Sequence, residues 1–127
     1  MPRKIISTEN APGAIGAYSQ AAVAGNIVFL SGQIPLSPDT MEVVSDDVRT
    51  QIEQVFKNLE AVCVAAGGSF ADVVKLNVFL TDLTHFPIVN EVMATHFEEP
   101  YPARAAIGVA SLPKDVAVEV EGVMYHG

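Results

Sequence analysis

The chain has 127 residues, half of them hydrophobic and 17% charged, and its 15 acidic and 7 basic side chains give a formal net charge of −8. That length fits one domain, residues 1–127, with roughly two-thirds of the unfolded surface buried on folding. The acidic balance disfavours a nucleic-acid partner, because phosphate neutralisation supplies most of such affinity and no basic cluster follows Arg3-Lys4. Cys63 stands alone, which leaves no intrachain disulfide. The start MPRKIISTEN has no apolar signal core and no run nears 18 apolar residues, so a soluble, cytoplasmic protein without a membrane partner is expected. The apolar content exceeds what a small monomer needs, and part of it is assigned to subunit contacts.

In chain order, Lys4 to Thr8 reads as a short strand, followed by a Pro- and Gly-punctuated loop from Glu9 to Ala17. Two apolar runs, Tyr18–Ala24 and Ile27–Gln33, flank Gly25-Asn26, a two-residue hairpin signal. Residues 46–66 form the clearest helix. Val48, Ile52, Val55, Phe56, Leu59, Val62, Cys63 and Ala66 make one apolar stripe, with Arg49, Glu53, Lys57 and Glu60 opposite. Ser45 or Asp46 is expected to cap it, acidic residues suit its first turn, and Gly67-Gly68 ends it.

Val73 to Leu80 is a strand with Val74, Leu76, Val78 and Leu80 on one face and Val73, Lys75, Asn77 and Phe79 on the other. A second helix is expected over Phe86–Phe97, with Pro87 in its first turn and Pro100 and Pro102 barring continuation. Ala103–Val109 and Val116–Tyr125 are the last strands. The order β-β-β-α-β-α-β-β describes an α+β fold, a mixed sheet with two helices on one face.

No CxxC, HExxH, P-loop or GxGxxG pattern occurs, so neither a metal nor a cofactor is expected. His85, His96 and His126 are scattered, and each reads as a surface or helix-face histidine. Cys63 lies on the helical stripe, where it acts as a small hydrophobe.

The stretch Tyr101–Glu121 is the informative one. It sets Arg104 at the start of an apolar run and Glu119 and Glu121 inside a valine-rich strand, where charge is costly unless paired or used. Arg104, Ala106 and Gly108 share one face of their strand, and Ala117, Glu119, Glu121 and Val123 share one face of theirs. If the two strands pair as a hairpin, one register puts Arg104 on the glutamate face and a slip by one puts it on the other. A salt-bridged, solvent-washed face and a site built from Arg104 and Glu119 both fit this spacing.

Pro102-Ala103-Arg104-Ala105-Ala106-Ile107, Leu112-Pro113-Lys114-Asp115 and Val118-Glu119-Val120-Glu121 closely resemble the RidA/YjgF family. The likeness extends to Glu9-Asn10-Ala11-Pro12, Ile15-Gly16-Ala17-Tyr18-Ser19-Gln20, Ser31-Gly32-Gln33-Ile34-Pro35, the segment Lys75 to Asp82, and Val89-Asn90. The resemblance implies a chorismate-mutase-like α+β subunit in a homotrimer, with a central barrel and clefts between neighbours. It implies cofactor-free hydrolysis of reactive 2-imino and 2-enamino acids to 2-oxo acids and ammonia. By the same resemblance Arg104 binds the substrate carboxylate, Glu119 positions or activates water, and Tyr18, Ser31, Gly32 and Asn90 line the cleft. Many members carry a cysteine where this chain has Ala106, which preserves a main-chain role there and removes a thiol one. Other expectations are a non-catalytic carboxylate-binding or regulatory trimer, and an RNA-directed role of the kind some members are named for.

Overall fold

A computed structural model describes residues 3–126. The chain forms β1 (Lys4–Ile6), β2 (Ala21–Ala24), β3 (Ile27–Gln33), α1 (Val48–Ala65), β4 (Val73–Leu80), α2 (Phe86–His96), β5 (Ala103–Gly108) and β6 (Val118–Tyr125). This is the α+β element order expected from the sequence. Single 3-10 turns at Phe70–Asp72, Leu83–His85 and Pro113–Asp115 lie between elements. Among the described residues no helix is long and apolar enough to cross a membrane.

The strands form one six-stranded sheet in the order β1-β2-β3-β6-β4-β5. β2 and β3 make the expected hairpin, with Ala24 opposite Ile27 and Gly25 at φ +62° in the turn. The β4–β5 pair is parallel, which requires a crossover, and α2 provides it. β5 and β6 therefore do not pair; β4 lies between them. Their connection is no tight hairpin turn. It carries Lys114 and Asp115 at positive φ and passes the chain over β4.

The α1 stripe behaves as expected: Ile52, Val55, Phe56, Leu59, Val62 and Cys63 are buried. Burial pushes the Cys63 thiol up to about 12, so it packs as a hydrophobe and offers no nucleophile. The cap is Asp47, not Ser45 or Asp46, and its carboxylate accepts from the Thr50 backbone N–H at 3.0 Å and the Thr50 hydroxyl at 2.8 Å. Both aspartates precede the helix, so its first turn holds no acid.

The Thr50 hydrogen bonds hold the Asp47 carboxyl below its ordinary value. Such a group stabilises the fold above its unfolded pKa, and that contribution is lost as pH falls through the folded one. Asp47→Ala is thus expected to lower the thermal midpoint at neutral pH, by an amount that shrinks as the solution is acidified. Melting curves at several pH values check this.

A correction concerns β4. Val73 is buried and Val74 is half-exposed, the reverse of simple alternation, because a bulge between Val73 and Lys75 resets the register against β6. Beyond it the pattern is regular: Leu76, Val78 and Leu80 join Val118, Val120 and Met124 in one core under both helices. Among the described residues no helix covers the other sheet face. Ile5, Ala22, Phe29 and Val123 form a row across β1, β2, β3 and β6, with Phe29 53% exposed.

Buried side-chain amides fasten the irregular segments. Gln20 Nε2 donates to the carbonyls of Thr8, Ala11 and Pro12, and Gln20 Oε1 accepts from Thr8 N–H. Asn58 Nδ2 donates to the Leu36 carbonyl, and Gln51 Oε1 accepts from Ala117 N–H just before β6. Unpartnered, each of these amides would cost about 1–3 kcal/mol in the core.

Candidate active site

Arg104 lies on β5, one of the two edge strands of the sheet, opposite Leu76 of β4. That register turns its side chain to the helix side. Phe86, Asn90 and Met93 fall at i, i+4 and i+7 on α2 and so share one stripe. Together they grip the guanidinium. Arg104 Nη1 donates to Asn90 Oδ1 at 2.7 Å and to Met93 Sδ at 3.3 Å, and Cζ stands 4.6 Å from the centre of the Phe86 ring. A ring face at that distance attracts a guanidinium by about 1 kcal/mol. Asn90, Met93, Ala94, Tyr101, Pro102 and Arg104 line a cleft of about 390 Å³. Phe86 and Met93 were not among the expected site residues; their spacing from Asn90 was the available signal.

Glu119 lies on β6 opposite Phe79, on the face without helices. A second cleft, of about 490 Å³, is lined by Tyr18, Ser31, Gly32 and Glu119, with Ile15, Ile34, Pro113 and Glu121 around them. The pairing of β3 with β6 shifts between Leu30 and Gln33, and that irregularity sets Gly32 against Glu119. A Cβ built on Gly32 would overlap the Glu119 carboxylate, so glycine is what admits the acid there. The Ser31 hydroxyl donates to the Ser19 carbonyl at 2.5 Å, and Ser31 N–H to the Gln20 carbonyl at 3.0 Å. Tyr18 is 49% exposed at the cleft mouth.

Burial, and then the neighbouring Glu121 charge, hold the Glu119 carboxyl above its ordinary value. Glu121 itself accepts from Asn77 Nδ2 at 3.1 Å. A carboxyl biased toward protonation in a partly apolar cleft is suited to exchanging protons with water or substrate.

Within one chain the expected residues thus fall into two groups. Tyr18, Ser31, Gly32 and Glu119 converge on one sheet face; Asn90 and Arg104 converge on the other, with β4 between. Ala106 lines neither cleft. It pairs with Val78 and packs against the core, so its methyl is a packing group and its main chain is what remains for a site. The Arg104 cleft has a guanidinium fork and no carboxyl in its lining, and the Glu119 cleft has two carboxyls and no cation.

Residues 8–125 match the model of a family described as Endoribonuclease L-PSP. A 2-iminobutanoate/2-iminopropanoate deaminase of Dermatophagoides farinae is 46% identical, covering 97% of this chain and 96% of the relative. The crystal structure of RidA from the Antarctic bacterium Psychrobacter superposes with a TM-score of 0.93 at 52% identity, over 96% of this chain and 98% of that one. That of E. coli TdcF with bound serine gives 0.92 at 46% identity, over 98% and 99%.

Proposed function

The chain belongs to the RidA/YjgF family, and from that premise we propose that it is a cofactor-free deaminase, hydrolysing reactive 2-imino and 2-enamino acids to 2-oxo acids and ammonia. The observation that carries the reading is Glu119, a desolvated carboxyl with raised proton affinity in a small cleft. Arg104 binds the substrate carboxylate through its guanidinium fork. Asn90 steadies that fork, while Tyr18, Ser31 and Gly32 shape the cleft around Glu119.

The chemistry needs little more. A protonated imine carbon is already electrophilic. A water oxygen bonds to it while the water proton passes to Glu119, giving a tetrahedral amino alcohol. That proton then goes to nitrogen, the C–N bond breaks, and the departing ammonia takes the hydroxyl proton as the carbonyl forms, leaving as ammonium in balance with the protonated imine. The net change is imine plus water to 2-oxo acid plus ammonia, with Glu119 returned as it began.

The two half-clefts support a shared site. β5 is an edge strand bearing an exposed Arg104, and the open sheet face carries the apolar row through Phe29 beside the Glu119 cleft. A second copy docked edge to face would bring its Arg104 to this Glu119. A repeated heterologous contact forms a ring when its rotation closes, and a three-fold rotation would give the family-implied homotrimer with its central barrel and intersubunit clefts. The bulk charge of −8 weighs against the RNA-directed activity in the family's description.

Coupling the protein to a pyridoxal-phosphate serine or threonine dehydratase tests this. Wild type is expected to speed 2-oxo acid release and Glu119→Gln to leave the uncatalysed rate; no acceleration by wild type would sink the proposal. Gly32→Ala, which pushes the flexible Glu119 side chain aside, is expected to cost about tenfold or more in kcat. Its thermal midpoint should move little.

A further inference from the structure

We propose that Glu121, held by Asn77 across the β4–β6 pair, is a positioning residue for Glu119 in the cleft that both line. The inference rests on the reading of Glu119 as the proton carrier.

Alternation sets both side chains on the open face of β6, their Cα atoms about 6.6 Å apart along the strand, and both line the same cleft. Asn77 stands directly opposite Glu121 on β4, and its Nδ2 donates to Glu121 Oε2 at 3.1 Å. A loose glutamate would swing toward water and its field at Glu119 would fade; the amide bond keeps the charge beside the cleft. A like charge disfavours ionisation of its neighbour, and burial of Glu119 acts in the same direction.

The other titratable groups around Glu119 leave this arrangement intact. β3 offers Phe29 and Ser31 and no charge. β4 offers Lys75, opposite Val123 and hence one pair further from Glu119 than Asn77 is. The N-terminal loop brings Tyr18, and the Pro113 turn carries Lys114 and Asp115, both exposed. In the proposed assembly Arg104 of a second copy would also approach, with the opposite effect on Glu119. A fixed negative charge at Glu121 offsets it.

A purely structural role, as a cross-strand pair joining β4 to β6, would leave the Glu119 titration unmoved. Carboxyl-carbon NMR of Glu119 in the assembled protein separates the two. Glu121→Gln is expected to lower the Glu119 midpoint and to move the acid limb of the kcat profile to lower pH, with KM held within about twofold. Glu121→Asp, which keeps the charge, should stay near wild type, and Asn77→Ala should fall between. An unmoved midpoint in Glu121→Gln, or Glu121→Asp matching Glu121→Gln, overturns the proposal. Full imine hydrolysis by Glu119→Gln would instead sink the proton-carrier reading, and the NMR midpoint would still test the pairing on its own.

Discussion

Replacing Arg104 with alanine is expected to weaken use of 2-imino acids by roughly ten- to a hundredfold or more in kcat/KM, since charge-assisted hydrogen bonds contribute about 1.5–3 kcal/mol each. The loss should fall first on KM, because the carboxylate is held alike before and during the reaction. Lysine is not expected to rescue it. The guanidinium lies over the Phe86 ring and donates to Asn90 Oδ1 while its fork stays open to the cleft, and an ammonium cannot stack and chelate at once. Arg104 is exposed, so its removal should leave the melting midpoint close to wild type. Steady-state kinetics of Arg104→Ala and Arg104→Lys beside melting curves check all three points; wild-type kinetics in Arg104→Ala would remove the arginine from the site.

Mixing two impaired variants should raise activity above that of either. If Arg104 of one copy serves Glu119 of the next, a ring assembled at random from Arg104→Ala and Glu119→Gln chains has both groups intact at roughly a quarter of its sites. Either variant alone has none. Unfolding and refolding an equimolar mixture, then assaying it at low substrate, reads this directly, and a refolded mixture no more active than the average of the two variants argues for a site complete within one chain. The sheet geometry makes the outcome sharp. Leu76 faces the core and Phe79 the open side, and they are the β4 partners of Arg104 and Glu119 respectively. No side-chain rotation within one chain carries the guanidinium through β4.

Local patterns were enough to find the elements. The α1 stripe, the Gly25-Asn26 turn and the alternation of β6 are short-range signals, and each appears where its residues put it. Departures came where neighbours outside the element decide. Val73 and Val74 exchange faces because β6 imposes a bulge. Asp47 wins the cap because its carboxylate reaches Thr50, a geometry that Asp46 and Ser45 also advertise by composition. The site was half legible. Charge inside apolar strands flagged Arg104 and Glu119, but their spacing carries no record of β4 coming between them. Phe86 and Met93 look like ordinary core residues until Arg104 is placed beside them.

β6 is the last strand of this sheet in chain order, yet it occupies the middle. While the polypeptide is being synthesised, the β1–β3 meander and the β4–α2–β5 unit have no strand to join them, and each presents a bare apolar edge. Only when Val118–Tyr125 emerges can Ile27 find Tyr125 and Leu80 find Val118. Such late, long-range pairing is slow and leaves sticky intermediates. The same insertion completes the Glu119 cleft, so a nascent chain acquires its fold and its proposed proton carrier in a single closing step.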